Sequence, residues 1–401
     1  MYKKIFFFLL LIATCLFSPA QLYKKLHFRS MVVDTHNDLL SRVTQDGVIM
    51  DHDLTGKTHS DIDRFKKGGV DVQLFSVWCD GLKKNPYAWA NRQMDSLDAV
   101  AKRNPGKIQK VGSPAEMMQV VKEKKLAAMF GVEGGHMIEN NLDNLDNFYN
   151  RGVRYMTLTW NNSTDWATSA LDETTSPNPT KGGTLKDSAR KKGLTDFGKK
   201  VVRRMNALGM MVDLSHVGEQ TFWDAINTTT KPVIVSHSCV YSLCPHRRNL
   251  KDEQIKAVGK NGGVIHLNFY SGFLDSSFEK RTAIFNNNHK AERDSLLKKN
   301  PEPYFADVFL FEKYPAEVKD LRPPLTVLID HLDYIVNMIG VDHVGLGSDY
   351  DGVNSLPQQL DDVTAMPLIT KELLKRGYSK KDIRKILGEN FLRIFEANQP
   401  K

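Results

Sequence analysis

Short apolar runs alternate with longer amphipathic segments from about residue 31 onward, and this rhythm constrains the fold more than any other feature. The runs are Met31–Val33, Val72–Val77, Ala127–Val132, Tyr155–Leu158, Met210–Leu214, Pro232–Val235, Gly263–Leu267 and Val344–Leu346. Such alternation is the mark of parallel βα units, and eight of them fit one (β/α)8 barrel with no separate second domain. Helices are predicted between them over Pro114–Lys124 and Thr195–Leu208. Pro367–Arg376 and Lys381–Ala397 also read as helical, with Gly377 and Gly388 as interruptions. Two segments break the pattern. Ser163–Lys192 is rich in Ser, Thr, Pro, Gly and Lys and reads as a long loop, while Leu274–Pro324 is a charged insertion, either a lid or a solvated excursion.

The first twenty residues stand outside that scheme. Lys3 and Lys4 precede an apolar core from Ile5 to Phe17, and Ser18-Pro19-Ala20 puts small residues before Gln21, the layout of a secretory signal peptide. The expected product is an exported protein, periplasmic or extracellular, comprising residues 21–401. Cys15 after Leu11-Ile12-Ala13-Thr14 is a poorer match to a lipoprotein cleavage box, because Thr14 is ill suited to its last position. Without Lys3 and Lys4 the formal charge of +8 falls by two to +6, interleaved with acids, which argues for solubility and against a nucleic-acid partner. No other stretch is long and apolar enough to span a membrane. Three cysteines remain (Cys79, Cys239 and Cys244), so one disulfide at most can form, and no Cys-x-x-Cys pair offers thiolates to a metal.

The chemistry lies where the strands stop. The first run leads into Asp34-Thr35-His36-Asn37-Asp38, the third into Glu133-Gly134-Gly135-His136, and the fifth into Asp213-Leu214-Ser215-His216. The sixth ends in Ser236-His237 and the last in Gly347-Ser348-Asp349-Tyr350-Asp351-Gly352. In a parallel barrel these ends converge on one rim, and five coincidences at equivalent positions are improbable. His36 and Asp38 share one face of an extended segment. Nitrogen and oxygen ligands together suit zinc better than magnesium or calcium. Three histidines and two carboxylates exceed what one catalytic zinc requires. Sharing Glu133 resolves the surplus, with His36, Asp38 and Glu133 on one ion and Glu133, His216 and His237 on the other. Such a pair would bind a bridging hydroxide as nucleophile, and a single ion is the alternative.

Taken together these segments resemble the membrane (renal-type) dipeptidases. The likeness rests on Asp34-Thr35-His36-Asn37-Asp38-Leu39, Glu133-Gly134-Gly135-His136, Asp213-Leu214-Ser215-His216, Ser236-His237-Ser238, Arg247-Arg248-Asn249 and Ser348-Asp349-Tyr350-Asp351-Gly352. They occur in family order from about residue 30 to 395. The resemblance implies a TIM barrel of the metal-dependent hydrolase type, two zinc ions bridged by Glu133, a dipeptide substrate and a homodimer. It further implies Asp349 as the acid/base group and Arg248 as the anchor for the substrate's terminal carboxylate. Asp351 is assigned to turn formation with Gly352, and His136 to a structural role.

One position departs from the family. After Arg154-Tyr155-Met156-Thr157-Leu158-Thr159 the renal-type enzymes carry a histidine that polarises the scissile carbonyl, and here Trp160 stands in its place, followed by Asn161 and Asn162. An indole N–H donates one hydrogen bond but cannot carry a proton. Trp160 or a neighbouring asparagine then contacts the developing oxyanion, or the substrate is not an ordinary dipeptide. Alternatives to a dipeptidase are another metal-dependent amidohydrolase (N-acyl amino acid, β-lactam or lactone) and a non-catalytic binding protein on the same barrel.

Overall fold

Nine parallel strands carry the architecture among the described residues: β1 (Val33–Asn37), β2 (Val72–Trp78), β3 (Ile108–Lys110), β4 (Leu126–Glu133), β5 (Val153–Thr157), β6 (Met211–Asp213), β7 (Ile234–Ser238), β8 (Val264–Leu267) and β9 (Val344–Leu346). The structure is a computed structural model and describes residues 19–175, 192–300 and 303–400. Residues 1–18 of the expected signal peptide, with Cys15, and 176–191 of the expected long loop lie outside the described residues.

Eight strands pair in the order β1-β2-β4-β5-β6-β7-β8-β9. The ring is joined by the Asn37–Tyr350 bridge, where Asp38 N–H donates to Tyr350 O at 2.8 Å and Asp349 N–H donates to His36 O at 3.1 Å. Each of the eight apolar runs supplies one of these strands. The first is displaced: pairing starts at Val33 and continues through Asp34, Thr35 and His36, so the polar motif is itself strand. β3 was not foreseen. It is three residues long with only Ile108 buried, and it pairs outside the ring on β4.

Alternation along the strands sorts side chains into two layers. Val33, Val72, Leu74, Ala127, Met129, Tyr155, Met211, Ile234 and Val264 pack together, joined by Phe391, Ile394 and Phe395 of the helix Asn390–Asn398. Phe75, Val77, Ala128, Phe130, Val132 and Val235 face the surrounding helices instead. In β4 the parity of Ala127 and Met129 also governs Gly131 and Glu133, aiming both at the axis. A Cβ on Gly131 would collide with the ring of Tyr155, so glycine there lets that ring cross the interior.

The predicted helices form, as Pro114–Lys122, Asp196–Leu208 and Pro367–Lys375. The last predicted helix is interrupted: Lys380–Arg384 and Asn390–Asn398 flank a π turn, Lys385–Glu389, containing Gly388, where a Cβ would press on the Met31 carbonyl. The expected loop contains the helix Ala170–Thr175. The charged insertion folds into helices Phe278–Asn288, Lys290–Lys299, Pro303–Lys313 and Pro315–Leu321. Its own small core gathers Phe278, Phe285, Leu310, Phe311 and Val318. Cys79, Cys239 and Cys244 are buried and free. Among the described residues no helix is long and apolar enough to cross a membrane.

Candidate metal centre

The barrel brings His36, Asp38, Glu133, His216 and His237 together at the C-terminal ends of its strands. His36 Nε2 lies 3.3 Å from Asp38 Oδ2, 3.4 Å from Glu133 Oε2 and 3.9 Å from Asp349 Oδ1. The other oxygen of Glu133 faces the other way: Oε1 is 2.8 Å from His216 Nε2 and 3.5 Å from His237 Nε2. Glu133 thus sits between two groups of ligand atoms, one oxygen turned to each. All five residues are buried.

Outer hydrogen bonds fix which nitrogen of each imidazole is bare. The Tyr155 hydroxyl donates to Thr35 O at 3.0 Å, so it accepts from His36 Nδ1, 2.8 Å away. The Ser236 hydroxyl donates to Asp213 Oδ2 at 2.6 Å and therefore accepts from His237 Nδ1 at 2.8 Å. Asn161 Oδ1 can only accept, and it takes the Nδ1 proton of His216 at 3.2 Å. When neutral, each ring consequently presents a lone pair on Nε2 to the centre. His36 Nε2 is buried without a hydrogen-bond partner among the described residues, and His216 Nε2 faces His237 Nε2 at 3.0 Å. Opposed lone pairs and carboxylates in one buried volume repel unless cations lie between them. The donor set fits a transition metal that accepts nitrogen and carboxylate ligands.

The carboxylates around His36 favour positive charge at the centre, whether a proton or a metal ion, and the backbone there is unusual. Burial lowers the His36 pKa, but the Tyr155 hydroxyl, Glu133 and Asp38 outweigh it and hold the ring well above its ordinary value. Burial brings His216 down to about 3, with the Arg248 charge adding to the effect. Burial pushes Asp349 up to about 7 against the attraction of His36, with Asp38 and Glu133 adding repulsion. His216, Asp349 and Asp351 have φ of 64°, 62° and 68°, a left-handed conformation that costs non-glycine residues energy and collects at functional sites. Gly352 has no room for a side chain, since a Cβ would run into Asp38 Oδ2 and Asp349 Oδ1.

Arg248 is buried beside this cluster, donating to His237 O at 3.2 Å and to Ser238 Oγ at 3.3 Å, with its guanidinium 5.3 Å from the Phe273 ring centre. It forms no ion pair among the described residues, its Nε is unpartnered, and it lines a cavity of about 200 Å³ shared with His216. Burial brings its pKa down to about 10. Trp160 is half-buried, with its ring 6.5 Å from that of His216 and 5.0 Å from Trp78. His136 points away, with Nε2 3.2 Å from the Cys79 carbonyl oxygen. Asp351 does more than turn the chain: it accepts from His59 N–H and Ser60 Oγ, both at 2.6 Å.

Several partners escaped sequence reasoning. Asp213 accepts from Thr157 Oγ1, Ser215 N–H, Ser236 N–H and Ser236 Oγ and so organises two strand ends. Its place two residues after Met211, one of the axis-facing side chains, was the available signal. Asn268 Nδ2 donates to Asp349 Oδ2 at 2.7 Å from the residue just after β8, a strand end like the others. Tyr155 had no signal, because its sequence reads as ordinary core.

Comparison with known proteins decides the relationship. A model of the family described as membrane dipeptidase, peptidase family M19, matches residues 20–400. The chain belongs to that family. As a membrane dipeptidase family member it is a metal-dependent hydrolase of peptide bonds. Solved structures share the fold. The probable dipeptidase PvdM of Pseudomonas aeruginosa is 23% identical with a TM-score of 0.75, covering 95% of this chain and 98% of that one. A metallopeptidase of Rhodobacter sphaeroides, liganded with a phosphinate mimic of the dipeptide L-Ala-D-Ala, is 22% identical with a TM-score of 0.72, covering 92% and 99%. An amidohydrolase of Pseudomonas aeruginosa is 20% identical with a TM-score of 0.69, covering 96% and 100%.

Proposed function

We propose that the protein is an exported, zinc-dependent dipeptidase holding two zinc ions, one by His36, Asp38 and Glu133 and the other by Glu133, His216 and His237. The observation that carries this is the division of Glu133, whose two oxygens face separate sets of ligand atoms at 3.4 Å on one side and 2.8 and 3.5 Å on the other. Bound there, a zinc pair would supply an ionised bridging water near neutral pH and polarise the scissile carbonyl. Asp349, beside His36 and oriented by Asn268, takes the nucleophile's proton and returns it to the leaving amine. Arg248, buried with no ion pair among the described residues, grips the substrate's terminal carboxylate and so restricts cleavage to dipeptides. Trp160 overhangs the His216 side, where its indole N–H donates toward the carbonyl oxygen. Asn161 accepts from His216 through Oδ1 while its Nδ2 has no hydrogen-bond partner among the described residues, so it is the other candidate for that contact. Family resemblance adds a homodimer, and the apolar leader adds export.

The test joins metal analysis to one substitution. The purified protein should contain two zinc ions per chain and lose dipeptide hydrolysis to a chelator. Asp349→Asn should retain both ions yet slow turnover by about 10²–10⁴-fold. Full turnover in that variant would remove Asp349 from its role, and tripeptides cut as fast as dipeptides would remove Arg248 from its own.

A further inference from the structure

A second and larger cavity, about 390 Å³, lies between the metal-bearing rim and the helical insertion. His59 and Val353 line it from the barrel, while Tyr304, Val308 and Phe311 line it from the insertion helix Pro303–Lys313. Its volume is in the range of small-molecule sites. The chain runs straight into it from the centre: Asp349 faces His36, Gly352 packs on Asp38 and Asp349, and Val353 is already cavity wall. The phenol of Tyr304 feels the same carboxylates. Burial raises its pKa to about 12 against the charge of Arg42, with Asp351, Asp38 and Asp349 contributing. This cavity therefore adjoins the Asp38 and Asp349 side of the centre, whereas Arg248 adjoins the His216 and His237 side. A dipeptide whose carboxylate is held by Arg248 would direct its amino-terminal residue here.

The chemistry of the cavity narrows what that residue is. Most of its charged groups are already committed: Arg64 to Asp61 and Asp362, Arg322 to Asp361, and Arg42 to Asp46. Lys57 and Glu312 are exposed at the margin and opposite in sign. Three polar side chains are left, His59, Tyr304 and Asn354, the last with no hydrogen-bond partner among the described residues. Asp351 N–H donates to His59 Nδ1 at 2.9 Å, so the His59 proton is on Nε2, which has no acceptor among the described residues. The Tyr304 hydroxyl likewise has no hydrogen-bond partner among the described residues. Beside them Val308, Phe311, Val353 and Leu356 form an apolar part of the wall.

We infer that His59 and Tyr304 form a specificity subsite for the substrate's amino-terminal side chain, selecting dipeptides in which that side chain is long and ends in a hydrogen-bond acceptor, as in glutamine and glutamate. The inference rests on the dipeptidase reading of the metal centre. An apolar stem fits the apolar part of the wall, and an acceptor tip satisfies two half-buried donors that a purely apolar side chain would cut off from water and leave unpaired.

The experiment compares kcat/KM of the zinc-loaded full chain for Ala-Ala, Met-Ala, Gln-Ala and Glu-Ala. Methionine and glutamine match in length and differ in the tip. Gln-Ala should exceed Met-Ala by about tenfold or more. Tyr304→Phe should cut that ratio by about 3–10-fold. His59→Asn, whose amide oxygen can still accept from Asp351 N–H, should cut it similarly because the shorter side chain no longer puts a donor at the Nε2 position, leaving Tyr304 alone. Cleavage of Ala-Ala with Met-Ala equal to or better than Gln-Ala would overturn the subsite while leaving the dipeptidase intact. An unchanged ratio in both variants would do the same. Failure of the zinc-loaded protein to cut any of the four would overturn both readings.

Discussion

Replacing Tyr155 by phenylalanine deletes one oxygen atom and tests how the metal centre is held. That oxygen donates to Thr35 O at 3.0 Å and accepts from His36 Nδ1 at 2.8 Å, in a fully buried setting. Its loss leaves the His36 N–H without an acceptor inside the barrel, at a cost of about 1–3 kcal/mol in folding stability. The imidazole also loses the bond that holds its bare nitrogen toward Asp38 and Glu133, and removal of such an outer partner lowers metal affinity by roughly 10–100-fold. Zinc affinity is read by competition with a chromophoric chelator, and apo-protein stability by urea unfolding. Gly131→Ala provides an independent route to the same defect, because its new methyl group displaces the Tyr155 ring while the hydroxyl itself is retained. Zinc affinity unchanged in Tyr155→Phe would refute the claim that this hydrogen bond sets the His36 ligand.

Two further outcomes are expected. Arg248→Lys keeps the charge but loses the planar fork, so kcat/KM for dipeptides should fall by about 10–100-fold while an amide-capped dipeptide is unaffected by the change; equal loss on both substrates would contradict carboxylate anchoring. Buried His27 bonds Thr370 Oγ1 and Gly68 O, and burial takes its pKa to about 4 against the Gly68 hydrogen bond. The unfolded chain therefore binds this proton first as pH falls below 6.5, and stability is lost between there and about pH 4, by roughly 3 kcal/mol in all. Urea midpoints measured from pH 7 to 4.5 should fall more steeply for the natural protein than for His27→Gln, and parallel curves would exclude His27 as a source.

How far the sequence carried can be judged element by element. The β4 run was legible because a strand buried on both faces must be continuously apolar, and its end at Glu133 followed from the run's end. The same logic found the strand-end histidines and Asp349, since a parallel barrel converts similar positions along the chain into neighbours in space. It could not find β3, whose single buried residue leaves no pattern. Nor could it see the fold of the insertion, where charged surfaces conceal a core of a few residues, Phe278, Phe285, Leu310, Phe311 and Val318.

By itself the sequence determined the family, the barrel and the set of side chains that meet at the rim, because those depend on short-range periodicity and on residue types at strand ends. Only the tertiary structure decided which nitrogen each histidine turns inward, that Tyr155, Asp213 and Asn268 orient the centre, and that Tyr304 of the insertion shares a cavity with His59. The reason is physical. A hydrogen bond spanning more than a hundred residues, such as Tyr155 to His36, leaves no local periodicity, and its partners become neighbours only once the barrel has closed.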